Sequence, residues 1–564
     1  MTNRLRAFGS TAVLALALAN ASAQQSPGYT FYSQQNTSTA VLLDTNGATY
    51  HSWTFTGNGK TGYSSYLMPG GKVFRGIAHT GNAINGGGVT GEVQEADWNG
   101  NLLWTYVYSS STYVLHHDIC PLANGNVLMI AYEVKTAADA TDAGASQAIS
   151  VQSEKIIEVQ PTGTSGGTIV WEWHLWDHLS QNYNAAKNNY VASISAHPEL
   201  MNINYSLTQD WVHMNGIDYN PTLDQIVVSS HNLNEMWVID HSTTTAQAAS
   251  HSGGNAGKGG DFLYRWGNPA TYGAGTAANK ILNVVHDAHW IPAGVPHAGY
   301  IVGFNNNGVS NSQSSIDFVD APHNGNNYTL SGTAYSPATY TKRLPCTGHT
   351  NDMGNSQQLP NGNSLICVAQ TGLVYEVDSN NVTLWSKTAS GTVPNAFRYT
   401  ACYISGTQPA TPTATISGAA LTSSAGAIGT TYQWYNNGVA IAGATSQTYT
   451  ATAAGSYTVV VSDSYTCASN PSVAIAYAPG GTGVNTLSAP KLMQLYPNPT
   501  NGIVNVIMNQ RGDYTVAVYD AYGKMLRSVK NATMISLADY STGVYYITVK
   551  MGDATAVERI SVII

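Results

Sequence analysis

Lysine and arginine together supply only 22 of 564 residues, and charged residues of both signs only 9%, against about 25% in an average domain. With a net charge of -9, so few cations exclude a phosphate-binding surface, because nucleic-acid affinity rests on clustered Lys and Arg. Long apolar runs are also missing. Beyond the first 23 residues no segment approaches the roughly 18 uninterrupted apolar residues that a transmembrane helix requires. The five cysteines, Cys120, Cys346, Cys367, Cys402 and Cys467, show no zinc spacing and permit up to two disulfides with one thiol left over, the pairing staying open. No nucleic acid, membrane span, metal or cofactor is expected.

What the chain does hold is 35 Tyr, 12 Trp and 55 Gly among abundant Thr, Ser and Asn, a composition that favours short strands and tight turns over helices. The expectation is an all-β extracellular chain of more than one domain. At the N-terminus Arg4 and Arg6 precede an apolar run at Val13–Leu18 and the small residues Ala21-Ser22-Ala23. That pattern reads as a secretory signal over residues 1–23, cleaved after Ala23.

One sentence is then written six times: an apolar strand ending in a polar or acidic residue, a turn, and a strand carrying Trp or Tyr. It begins at Val41, Glu92, Ile156, Trp237, Ile316 and Val374, with Trp53, Trp104, Trp171, Tyr264, Tyr328 and Trp385 in the following strands. Between these copies lie units in which a histidine precedes a Pro/Asn/Gly turn and a strand. The stretch Val284–Gly294 holds His286 and His289, and the others hold His116 and His117, His213, and His349. About four short strands per period is the content of a propeller blade, so residues 24–405 are expected to form a six-bladed β-propeller. The strand Phe397–Ile404 closes the ring on the first blade. Four histidines in one slot of a closed array would line one pocket around its axis.

A Thr/Pro/Gln linker at Gly406–Thr413 leads to residues 414–478, where alternation around Trp434 and Gly455–Val461 resembles the immunoglobulin-like modules of bacterial surface proteins, with Trp434 as core. A second linker, Pro479–Pro490, precedes residues 491–564. There Tyr496-Pro497-Asn498-Pro499, Thr500-Asn501-Gly502, Tyr519-Asp520 with Gly523, Thr542-Gly543-Val544-Tyr545-Tyr546 and an apolar last strand stand in order. This set resembles the C-terminal sorting domain of type IX secretion cargo. The resemblance implies handling by that machinery and a secreted or cell-surface location.

Three roles compete for the histidines: metal binding, bracing of blades, and nucleophilic or acid/base chemistry on an anionic substrate. Spacing alone leaves them open. The chain from about Trp171 to Tyr403, however, resembles the arylsulfate sulfotransferases, nucleotide-independent propellers that move a sulfuryl group between phenols. The matching segments are His117-Asp118 before its turn, Trp211-Val212-His213-Met214-Asn215 with Ile226-Val227-Val228-Ser229-Ser230, His286-Asp287-Ala288 before Trp290, and Asn395-Ala396-Phe397-Arg398. The resemblance implies a sulfohistidine at His286, supported by His117 and His213, with an aryl sulfate as donor and a phenol as acceptor. It departs at His231, where the family has an arginine. His231 is expected to donate to the sulfuryl oxygens, with Arg265, Arg398 or Arg343 as sources of the missing charge, and His116 and His349 as proton carriers or substrate contacts. A catalytically silent propeller that binds a glycan, peptide or aromatic ligand is the alternative.

Overall fold

The fold is given by a computed structural model that describes residues 24–293, 295–424, 431–441, 443–462, 467–478, 492–509, 512–520, 524–552 and 554–563. The expected signal peptide, the linker Pro479–Pro490 and Gly523 lie outside the described residues.

Six four-stranded antiparallel sheets succeed one another between Tyr29 and Tyr399. Each of blades one to five runs outward from its innermost strand: Thr61–Leu67, Tyr113–Pro121, Met214–Asn220, Val285–Trp290 and Asn355–Gln358. Blade six combines both ends of the ring. Its innermost strand, Ala396–Tyr399, pairs with Tyr29–Ser33 in the register Phe31↔Phe397, which is the expected closure. The closing strand is shorter than expected, because Thr400 caps a short helix, Ala401–Ser405, by accepting from Tyr403 N. The fourth strand of blade four is Lys342–Pro345 rather than the segment around Tyr328. Tyr328 instead belongs to a small hairpin with His323–Asn324, and its hydroxyl donates to Gln225 Oε1 at 2.8 Å.

Side chains on the innermost strands tie each blade to the next. Asp118 Oδ2 accepts from Ile217 N at 3.2 Å, Asp218 Oδ2 from Trp290 N at 2.9 Å, and Asp287 Oδ2 from Ser356 N at 3.0 Å. Asn355 Oδ1 accepts from Ala396 N at 2.8 Å and Asn395 Oδ1 from Ser65 N at 3.4 Å, while Ser64 Oγ donates to His117 O at 3.1 Å. Six such links complete the circle. An intramolecular hydrogen bond contributes about 0.5–1.5 kcal/mol net, and six of them in a closed circle fix the azimuth of every innermost strand. Between blades, buried Trp, Ile and Val fill the gaps, as Trp173, Trp211 and Trp237 do between blades two and three.

Cys402 forms a disulfide with Cys467, whereas Cys120, Cys346 and Cys367 are free. Residues 462–468 accordingly group with the propeller unit. The second unit comprises residues 410–461 and 469–564. Its first part has a three-stranded and a four-stranded sheet, with Trp434 fully buried against Leu421, Tyr457 and Val459. Its last part repeats that plan over a core of Val504, Val516, Ile547 and Ile560. Among the described residues no helix is long and apolar enough to cross a membrane.

Candidate active site

Three innermost strands break their ladders where the histidines stand. Register shifts fall between Leu115 and Ile119, Met214 and Gly216, and His286 and His289. His117, His213 and Asp287 adopt positive φ of 50°, 56° and 54°. Bulges of this kind re-aim a side chain, and left-handed backbone at non-glycine residues concentrates at functional sites. The strain turns the rings toward one another. His117 and His213 have ring centroids 4.6 Å apart, His213 and His231 4.9 Å, and His231 and His286 5.6 Å. His231 joins the row because it follows the second strand of blade three and its amide donates to His213 O at 3.0 Å. Four of the expected catalytic histidines thus form one continuous row.

The fifth, His349, stands beside it. His349 Nε2 meets Asn307 Oδ1 at 2.9 Å, next to the asparagine that holds His286. The arginines proposed to replace the family cation do not fill that role. Arg265 is fully buried on Glu235 at 2.7 Å, Arg343 is held by Asp317 at 2.5 Å, and Arg398 lies 3.2 Å from Glu376. Each is spent on a carboxylate within the blades. Beside the row, His231 Nε2 faces Asp352 Oδ1 at 3.6 Å, and the nearness of that imidazole holds the Asp352 carboxyl below its ordinary range.

The segment Gly86-Gly87-Gly88 covers the row. A Cβ on Gly87 would fall 2.3 Å from His213 Cε1, and one on Gly88 1.9 Å from His117 Cε1, where φ is also +69°. Either Cβ would push a histidine ring aside, and at Gly88 the left-handed backbone also favours glycine. Gly88→Ala is expected to displace the His117 ring and cut turnover by about 10²-fold, the cost of misplacing a reacting group by about 1 Å. The melting temperature should fall by only a few degrees, which circular dichroism beside steady-state assays measures.

His286 is buried, and its Nδ1 lies 2.8 Å from Asn306 Oδ1. Asn306 has no freedom to turn, because its Nδ2 donates to Thr350 O and Met353 O, each at 2.9 Å. Its oxygen must therefore accept, so His286 carries its proton on Nδ1 and a free electron pair on Nε2. Burial, followed by the neighbouring His231, lowers the His286 pKa to about 3.

This depression has a signed consequence for stability. The folded chain keeps His286 neutral while the unfolded chain binds a proton below about pH 6.5. The contribution is complete above that pH and is lost as pH falls toward 3. Asp118, raised to about 7 chiefly by burial, acts in the opposite sense, so His286 must be isolated by difference. The stability gap between wild type and His286→Asn should shift against the wild type by about 1.4 kcal/mol per pH unit across that window. Denaturant titrations at pH 7, 6 and 5 measure it.

Behind His117 lies a buried chain of contacts. His117 Nε2 meets His213 Nε2 at 3.2 Å, His117 Nδ1 meets His116 Nδ1 at 2.9 Å, and His116 Nε2 meets Glu154 Oε2 at 2.9 Å. At the other end, His213 Nδ1 lies 2.8 Å from Asp210 Oδ2 and 3.3 Å from the Tyr132 hydroxyl. Burial pushes the Glu154 carboxyl well above the carboxylate range, and lowers His116 to about 3 and His117 well below its ordinary value. Glu154 sits on the third strand of its blade, as Glu235, Asp317 and Glu376 do, but those three meet arginines and Glu154 meets His116. Glu154, Asp210, Tyr132, Asn306, Gly87 and Gly88 were not singled out from the sequence. For Glu154 no sequence signal stood out, because its strand also carries Gln152, Ser153, Lys155 and Glu158.

His117 and His286 share a small recess with Tyr63, Met353 and Asn395. At the other end of the innermost strands opens a cavity of about 830 Å³ lined by Asp118, Asp218, Asp287, His289 and Arg398 among aromatic residues. There the half-buried His289 is raised to about 9 by Asp287. His289 therefore stands apart from the row.

The fold and the site define a six-bladed propeller with histidines bulged into one row. Residues 16–381 match the model of the arylsulfotransferase family, and the chain belongs to that family. Residues 494–563 match the secretion system C-terminal sorting domain, which directs the chain through type IX secretion to the cell surface or extracellular space. No curated protein matches the chain. Among solved structures, a protein of unknown function from Bacteroides caccae is similar at 10% identity and TM-score 0.38, over 66% of this chain and 98% of that one. A periplasmic gluconolactonase from Pseudomonas aeruginosa is similar at 8% identity and TM-score 0.33, over 80% and 99%.

Proposed function

We propose that the protein is an aryl-sulfate sulfotransferase that works through a sulfohistidine at His286. The observation that carries this reading is the Asn306 clamp, which leaves an unprotonated Nε2 on a buried imidazole that stays neutral at physiological pH. Nε2 attacks the sulfur of an aryl sulfate, the sulfur–oxygen bond to the aryl group breaks, and a phenolate leaves. An acceptor phenol then attacks the same sulfur, the nitrogen–sulfur bond breaks, and His286 regains its electron pair. His231 donates to the sulfuryl oxygens, in the manner of oxyanion donors, while His213, whose Nδ1 proton faces Asp210, turns its Nε2 lone pair to the proton on His117 Nε2. Tyr63, whose ring lies 5.1 Å from His117, stacks on the aryl group.

The leaving phenolate takes its proton from His117 Nε2. A neutral imidazole cannot give up its only proton without becoming an anion, and the chain behind it removes that obstacle. As His117 loses the Nε2 proton, His116 passes one to His117 Nδ1 and Glu154 passes one to His116 Nε2. The net change is one proton from the Glu154 carboxyl to the phenolate. The acceptor phenol returns it by the reverse path, so the cycle consumes no proton.

Release of nitrophenol from a nitrophenyl sulfate, measured with and without a second phenol, tests the reading. Acceleration by the phenol is expected, since transfer from the histidine requires an acceptor. Release that ignores the phenol would indicate hydrolysis instead. No release across several donors would favour a silent ligand-binding propeller.

A further inference from the structure

Away from the row, His178, His251 and Asp261 bring their ligating atoms within 4.8 Å of one another. His178 ends the short turn Leu175–His178 that follows blade two, and the other two residues lie in the loop between the third and fourth strands of blade three. Asp261 Oδ1 faces His178 Nδ1 at 2.8 Å and His251 Nδ1 at 2.7 Å. The decisive contact is on the far side of the His178 ring, where Nε2 donates to Ala248 O at 2.8 Å. A neutral imidazole that spends its proton there turns a lone pair on Nδ1 toward a carboxylate oxygen. Two lone pairs at that distance repel unless a cation lies between them. A backbone carbonyl on the outer nitrogen is also how metal-ligating histidines are oriented and made more basic.

The site is built rather than accidental. The His178 ring is fully buried and stacks on Trp173, with centroids 5.6 Å apart and planes within 4°. Trp173 Nε1 donates to Gly260 O at 2.7 Å, and a Cβ on Gly260 would come within 2.6 Å of His178 Nε2. The glycine before Asp261 therefore lets the loop reach the ring. His251, by contrast, is 61% exposed at its side chain, which leaves a path for an ion and room for water as a further ligand.

We infer that His178, His251 and Asp261 bind a divalent cation of the zinc class, which clasps the loop of blade three to the turn leaving blade two. Two imidazole nitrogens and one carboxylate oxygen suit zinc better than calcium or magnesium, which take all-oxygen shells. The ligands span 83 residues, so no sequence spacing announces them. This site is independent of the sulfotransfer reading.

The test uses the full chain, stripped with a chelator and titrated with Zn²⁺ by calorimetry, then with Co²⁺ while visible absorption is recorded. Wild type should bind one equivalent that His251→Ala and Asp261→Asn bind at least about 10-fold more weakly. It should also melt at a higher temperature with Zn²⁺, whereas the variants should not respond. His251 is exposed, so His251→Ala should fold normally, and metal bound by the histidine row would remain in all three proteins and be subtracted. Equal binding by wild type and both variants would overturn the assignment. So would nitrogen NMR that shows His178 doubly protonated and unmoved by Zn²⁺.

Discussion

Replacing His286 with Asn should lower turnover of an aryl sulfate by at least about 10⁴-fold, because it removes the only nitrogen that forms the covalent intermediate. Asparagine is smaller and uncharged, and it keeps a donor toward Asn306 Oδ1, so folding and donor binding should persist. The companion change His289→Asn should be mild, since that ring is bonded to Asp287 at the other end of its strand. With donor alone, wild-type protein quenched in alkali should carry one added sulfuryl group on the peptide that contains His286. Mass spectrometry locates it. An adduct on His117, His213 or His349, or full activity in His286→Asn, would refute the assignment.

Glu154→Gln should slow transfer by about 10²- to 10³-fold, within the range of general acid/base effects. The amide keeps the shape of the carboxylate: its oxygen can still accept from Met214 N, where Glu154 Oε1 now does at 2.8 Å. Its nitrogen then donates to His116 Nε2, which fixes the proton of His116 on Nδ1 and that of His117 on Nε2, and the chain can no longer reverse. Since a buried carboxyl is replaced by a neutral isostere, the melting temperature should stay level or rise. A merely structural role would slow all donors alike, whatever the basicity of the leaving group. Nitrogen NMR of the substrate-free protein should show the resting tautomers of His116 and His117 unchanged in the variant, and the deficit in rate should be largest for poor leaving groups that need the proton most. Unchanged rates across leaving groups would remove Glu154 from the reaction, while loss of all activity in wild type would fault the sulfotransfer reading instead.

The six-bladed ring was legible because the aromatic strands repeat the same apolar-to-polar pattern from Val41 to Trp385, and a pattern of period two states which face of each strand is buried. His117, His213 and His286 could be placed in equivalent slots for the same reason. The arginines could not. Arg265 and Arg398 offered charge to the site on paper, and only the packed blades show each facing a carboxylate.

The sequence by itself determined strand content, blade number, the export domain and the residue types that chemistry would need, since all of these follow from local alternation and ordered motifs. Tertiary structure alone decided which nitrogen of His286 is free, because that depends on Asn306, whose own orientation is set by carbonyls at residues 350 and 353. It also decided that Glu154 serves His116 and that His178 meets Asp261. Contacts of this kind join distant positions at distances of about 3 Å, and a one-dimensional pattern carries no record of which distant side chains will share a proton or an ion.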